Sequence, residues 1–473
     1  MIDTSLVRAS SGEPARTHRS AEEIGRTAAG PRALPALDVR RRYTSPAMAD
    51  TVLPNGLRVI AARHPSIPMV EMRMSVPFAG ATFEHVATAE VLATTLFREG
   101  RPSREGMDAA MGRHGVTLAA SRSSRWLHIS GSAPAHALGT LLGTLADALT
   151  HGAPDEEEIR QVRLRMVRQI SVIRAQPQVI AQEALLALCY GEMPGLQEVP
   201  FPAPVEAVTA ESVRVLHRAL VRPRGTALVL VGDLDPERAV DLVTAATEDW
   251  GGAGTITAPA TLPPTPGGRV ALVPRADAVQ SQIRLVRPVV ARTDDRFPAL
   301  SLASLVFGGY FSSRLVTNLR EAKGLAYRAD AGFHDHLDRL VVGIEADTAT
   351  EATAQAYREI RAELGRLVGD PPSAAEIDAA REYTIGMAML ALSSQAGFAT
   401  SVMTAVSLGH EPERVTTFPE LLRTVTLGQV ADAAREFFDP DSFSGVIVGD
   451  EGKLASLLSA AGGGGVAASA ASS

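Results

Sequence analysis

Phe307–Tyr327 reads FGGYFSSRLVTNLREAKGLAY, and how this stretch is understood decides how the rest of the chain is understood. A Gly pair leads through Ser312-Ser313-Arg314 into a segment where Leu315 and Leu319 stand four apart, the spacing of one helix face. Ser312 or Ser313 supplies the N-cap, since a hydroxyl there accepts from a free amide of the first turn. Gly324 stops the helix, and Tyr327 begins a strand. Arg320 and Tyr327, seven positions apart across that corner, are a polar pair placed for a ligand.

Outward from the corner the chain repeats itself. Gly445-Val-Ile-Val-Gly-Asp450 restates Leu228–Asp233, and the two closing aspartates stand 217 residues apart. Glu376-Ile377, before one long helix, matches Glu158-Ile159 before another at a spacing of 218. Arg269-Val-Ala-Leu-Val273 restates the opening strand, where Asn55-Gly56 marks a tight hairpin turn. Landmarks at nearly one offset predict a duplicated unit of about two hundred residues. Each copy mixes strand-like runs such as Met69–Val76 with helical ones such as Thr88–Phe97 and the segment from Asp155 to Ala175. The expected fold is therefore α+β: two homologous domains, each a mainly antiparallel sheet packed with helices. Residues 49–250 make the first domain, the Gly/Pro/Thr-rich 251–268 a linker, and 269–459 the second domain. Residues 1–48 and 460–473 read as disordered extensions.

At 473 residues the chain exceeds one ordinary core, and 45% hydrophobic with 21% charged residues describes a globular protein. A net charge of −7 leaves no footprint for nucleic acid. The single cysteine, Cys189, lies in an apolar run and reads as a small buried side chain in a reducing compartment. The N-terminus has no apolar signal region, and no apolar run approaches the roughly 20 residues of a spanning helix. The expected location is cytoplasmic, without a membrane.

With the repeat in hand, the chain resembles the pitrilysin/insulinase family of zinc peptidases, in its mitochondrial-processing-peptidase-like branch. The motifs that carry the resemblance are Leu53-Pro-Asn-Gly-Leu57, Gly80-Ala-Thr-Phe-Glu84, Leu96-Phe97-Arg-Glu-Gly100, Val231–Pro236, Gln280-Ser-Gln282 and Gly308–Tyr327. The resemblance implies that each chain forms half of a clamshell. It also implies a zinc site in the inverted motif H-x-x-E-H, whose two histidines ligate the metal while the Glu acts as general base. That motif falls on Glu90-Val-Leu-Ala-Thr94. Glu90 replaces the first His, Ala93 the base and Thr94 the second His, and the later Glu ligand falls at Arg168 or Gln169. No ligand survives in type, so neither metal binding nor activity is expected of this chain alone. A guanidinium at Arg168 would replace the metal's charge by pairing with Glu90; two unrelated solvated charges account for the residues at least as well.

Other candidates are weak. His334 and His336 lie on one face of a strand, where two metal ligands could sit, but edge residues exposed to water explain them as well. His85 has no partner in spacing.

In this branch the resemblance implies heterodimers: one chain carries the zinc motif, and the other presents the Arg/Tyr pair to substrate at its partner's metal. Carried over, that pair is Arg320 and Tyr327. The implied partner is a homologous catalytic subunit with an intact H-x-x-E-H and its zinc. The implied substrate is an extended peptide added as a strand to a sheet edge, with leader peptides of ribosomal natural products as one candidate. Two other roles fit the same residues: a structural core-type subunit without a part in catalysis, and a homodimeric peptide-binding protein.

Overall fold

The computed structural model describes residues 45–97, 105–152, 154–252, 256–460 and 466–468. The readings of residues 1–44, of Arg98-Glu99-Gly100 and of most of the tail lie outside them.

The first half runs β1 (Met48–Val52), β2 (Arg58–Arg63), β3 (Met69–Pro77), α1 (Phe83–Thr95), α2 (Glu105–His114), β4 (Thr117–Arg122) and β5 (Trp126–Pro134). It continues through α3 (Leu138–His151), α4 (Glu156–Arg174), α5 (Pro177–Tyr190), α6 (Ala210–Leu220), β6 (Ala227–Gly232) and α7 (Pro236–Ala246). The second half runs β7 (Val270–Pro274), β8 (Gln280–Pro288), α8 (Phe297–Ser304), β9 (Ala326–His336), β10 (Arg339–Ala349) and α9 (Thr353–Gly369). It ends with α10 (Ala374–Leu392), α11 (Gln395–Ser407), α12 (Arg414–Thr424), α13 (Leu427–Phe437), β11 (Ser444–Gly449), α14 (Glu451–Ala460) and β12 (Val466–Ala468).

The duplication is visible in the topology. One sheet has the order β1-β2-β6-β3-β5-β4 and the other β12-β7-β11-β8-β10-β9, so five strands correspond one to one. In each sheet the last-arriving central strand is parallel to one neighbour and antiparallel to the other. Every residue of β6 and of β11 is buried, which is why both read as unbroken apolar runs and not as alternating ones.

Both central strands are covered on their second face by a helix from the other half. Helix α11 packs on β3 and β6 of the first sheet, and α5 packs on β8 and β11 of the second. Ala181, Leu185 and Cys189 of α5 thus share a cluster with Val286, Val341, Val446 and Val448. From the other side, Gln395 Nε2 donates to the carbonyls of His64 and Ile67 at 2.7 and 2.9 Å. The halves are interlocked by this exchange.

Helix ends follow their caps. Thr82 Oγ1 accepts from the His85 amide at 3.1 Å, so α1 starts at Phe83, five residues before the apolar spacing that marked it in the sequence. Asp155 caps α4, and Ser373 with Glu376 forms a reciprocal capping box on α10. Two expectations need correction. The tail does not lose structure at residue 460 throughout: Val466–Ala468 pairs parallel with β7 on its outer edge. Phe297–Ala322 is apolar and long enough by composition to cross a membrane, yet 61% of its apolar window is buried inside the protein.

Candidate functional site

The corner quoted at the outset is less regular than a single amphipathic helix. It forms a π-helical turn at Leu305–Gly309, a short α segment at Arg314–Val316 capped in backbone geometry by Ser313, and a second π-helical turn at Thr317–Ala322. Leu315 and Leu319 are fully buried in the second core. Arg314 grips Glu376 of α10 through two contacts of 2.6 and 2.9 Å and holds that carboxylate at about 2. Asn318 donates to Glu359 and Glu363 of α9. These inward groups fix the segment, and Gly324, at φ +59°, turns the chain into β9 with the left-handed backbone that a glycine adopts without strain.

Arg320 and Tyr327 are what this scaffold leaves outward. Arg320 lies half-exposed, 3.5 Å from Glu321 and 5.1 Å above the ring of Phe311, itself exposed. A surface pair of that kind is worth little, so it does not explain the arginine's placement. Tyr327 is 88% exposed. It is the extra residue of a β-bulge, because Ala326 pairs with Thr348 and Arg328 with Asp347. A bulge re-aims a side chain, here away from the core that takes Ala326. No hydrogen bond or ring contact joins Arg320 to Tyr327 among the described residues. Strand β9 is the outer strand of its sheet, and no described strand pairs with its far edge.

The second feature is a cavity of about 320 Å³ between α1 and α4, lined by Glu90, Thr94, Arg165, Met166, Gln169 and Glu198 among others. The structure brings Glu90, Thr94 and Gln169 to one cavity. It does not bring Arg168, which is exposed on α4. Helical periodicity separates the two candidates: Val162, Met166 and Ile170 are buried, and Gln169 but not Arg168 falls on that face.

Of the two accounts of Glu90 and Arg168, the ion pair does not form. Glu90 pairs with Arg122 from the end of β4, Nε to Oε2 at 2.8 Å, an ionic contact without an aligned hydrogen bond. The other end of that guanidinium donates to the carbonyls of Gln197 and Glu198 at 3.0 and 2.9 Å. Burial pushes Arg122 below the usual arginine range while Glu90 pulls it back. The sequence offered no signal for Arg122, since nothing in local spacing links a strand end to α1.

Zinc does not fit these residues. Ala93 has no donor and is buried, Thr94 Oγ1 is turned to the Glu90 carbonyl at 2.9 Å, and Gln169 offers a neutral amide. A guanidinium already sits on the one carboxylate at the ligand positions. No group of three metal-ligating side chains occurs among the described residues.

The remaining candidates are structural. His336 is buried, with Nδ1 3.1 Å from the Tyr190 hydroxyl, while His334 lies 3.9 Å from Glu345, so the two imidazoles serve different neighbours. His85 bonds the Phe78 carbonyl at 3.0 Å. A Cβ on Gly80 would stand 1.9 Å from the His85 ring, which accounts for glycine there. Burial pushes the Cys189 thiol up to about 12, leaving it unreactive.

Residues 207–383 match the family model described as the peptidase M16 inactive domain. An uncharacterized zinc protease of Streptomyces coelicolor is 26% identical over 343 residues, covering 67% of this chain and 72% of that one. A protease from Helicobacter pylori superimposes with a TM-score of 0.77 at 18% identity, over 86% of this chain and 100% of that one. A peptidase M16 inactive domain from Pseudomonas fluorescens gives 0.75 at 16%, over 85% and 98%.

Proposed function

We propose that this chain, which carries a peptidase M16 inactive domain and is homologous to bacterial zinc proteases, is the non-catalytic subunit of a heterodimeric zinc metallopeptidase. One observation carries the reading. Glu90, which the family resemblance aligns with a metal ligand, is held by Arg122, while Arg320 and Tyr327 stand outward beside an outer strand of the sheet.

The proposed division of labour follows from the chemistry. A homologous partner with an intact H-x-x-E-H supplies zinc, and with it an activated water. From this chain, the far edge of β9 accepts an extended peptide as an added strand, reading backbone and not sequence. The Tyr327 hydroxyl and the Arg320 guanidinium are hydrogen-bond donors suited to a carbonyl oxygen that gains negative charge under attack. Nothing in either residue is needed for folding, since both lie outside the core.

The test is co-expression with such a homologue and a peptide-cleavage assay. Activity is expected only in the mixture. Arg320→Ala and Tyr327→Phe should each lower kcat by roughly 10²-fold, the scale of one lost donor. Stability should change by less than about 0.5 kcal/mol, as for ordinary surface substitutions. Full cleavage by both variants would leave a purely structural subunit as the reading.

A further inference from the structure

A pocket unrelated to either feature opens among α8, α10, α11 and α12. Its volume is about 330 Å³, and its walls include Phe297, Leu392, Leu408, Val415 and Phe418. Three basic groups border these apolar walls: Arg292, His410 and Arg414. Among the described residues, only Arg292 of these three has a carboxylate, Asp335 at 3.0 Å. Arg414 has no acidic partner among the described residues; its guanidinium lies 4.7 Å above the Phe418 ring. Arg292 likewise stacks over Phe297 at 5.5 Å.

Partly buried cations held by aromatic faces alone are incompletely compensated. The electrostatics agree. Burial depresses Arg414 with nothing to offset it, and burial together with Arg414 and Arg292 depresses His410. The protein itself leaves positive charge at this pocket unneutralised. Thr400, Thr404, Leu408 and Arg292 also line a larger cleft of about 570 Å³, so the pocket is continuous with further space.

We propose that this pocket binds a small amphipathic monocarboxylate, its carboxylate on Arg414 beside His410 and its apolar chain against Phe297 and Phe418. A guanidinium takes a carboxylate in a paired geometry, and the volume falls within the roughly 300–1,000 Å³ of small-ligand sites. A free medium-chain acid and the C-terminal residue of a peptide ending in an apolar side chain share this chemistry. The site requires no second chain, so its test is separate from that of the subunit role.

Isothermal titration calorimetry on the full-length chain tests it with decanoate, decan-1-ol and decyltrimethylammonium as probes. Decanoate is expected to bind saturably at one site, and the alcohol and the cation are not. Arg414→Met should weaken decanoate about tenfold, the loss of one charge-assisted contact, with the melting temperature unchanged. Ala388→Trp, which fills the pocket from α10, should weaken it as well. Competition by a Phe-terminated peptide acid, and not by its amide, would assign the site to peptide ends; its absence would assign it to free acids. Decan-1-ol binding as tightly as decanoate, no decanoate binding, or unchanged affinity in both variants would overturn the proposal.

Discussion

Arg122 has 5% of its side chain exposed, and Glu90 is its carboxylate partner at 2.8 Å. A guanidinium this deep is tolerated because its charge meets Glu90 and its Nη2 donates to the carbonyls of Gln197 and Glu198. Arg122→Met should therefore cost about 2–3 kcal/mol in urea unfolding, below the full penalty for a broken buried pair because Glu90 is a third exposed. Adding Glu90→Gln should recover part of that loss, because the stranded carboxylate is then gone. At the same scale, Gln169 was one of two candidates in the sequence and the helix phase selects it. Arg122 was beyond reach, because its contact joins residues 32 positions apart through folding alone.

Among elements, the exchanged helices α5 and α11 matter most. Phe398 of α11 is 2% exposed and lies 6.0 Å from the His64 ring, so a side chain of the second half closes the first sheet. Phe398→Ala should cost about 3–5 kcal/mol, the scale for a large core truncation. Calorimetry should show one transition shifted as a whole, because removing the cover weakens both halves together; two separated transitions would contradict the interlock. The burial of the apolar run around Cys189 was readable in the sequence; the destinations of the two helices were not, since an apolar helix face does not name the sheet that will cover it. The π-helical turns of the Phe307–Tyr327 corner were equally hidden: they depend on Arg314 and Asn318 reaching α10 and α9.

For the molecule as a whole, His336 of the second half and Tyr190 of the first form a contact across the interlock. Burial, chiefly, with the like charges of His334 and Arg339, lowers His336 to about 4, against the opposing pull of Asp335. The folded state thus disfavours the protonated ring. As pH falls from the ordinary histidine value of 6.5 towards about 4, the unfolded chain takes up a proton that the folded chain refuses, and stability declines. The decline should amount to roughly 2–3 kcal/mol. His336→Phe should flatten that part of the stability–pH curve measured by urea unfolding, and an unaltered slope would remove His336 as its cause.

The sequence alone determined the α+β class, the duplication and the residue types at Glu90, Ala93 and Thr94. Each is written in local spacing or in residue type: Gly-Asp endings at one offset, buried strands as unbroken apolar runs, Ala93 where a base would be needed. The tertiary structure decided what required distant residues to meet. It placed Arg122 on Glu90, crossed the two helices between the sheets, and turned Tyr327 outward at a bulge on an outer strand. The physical reason is that burial and charge pairing are properties of neighbours in space, and a single chain read in order shows only neighbours in sequence.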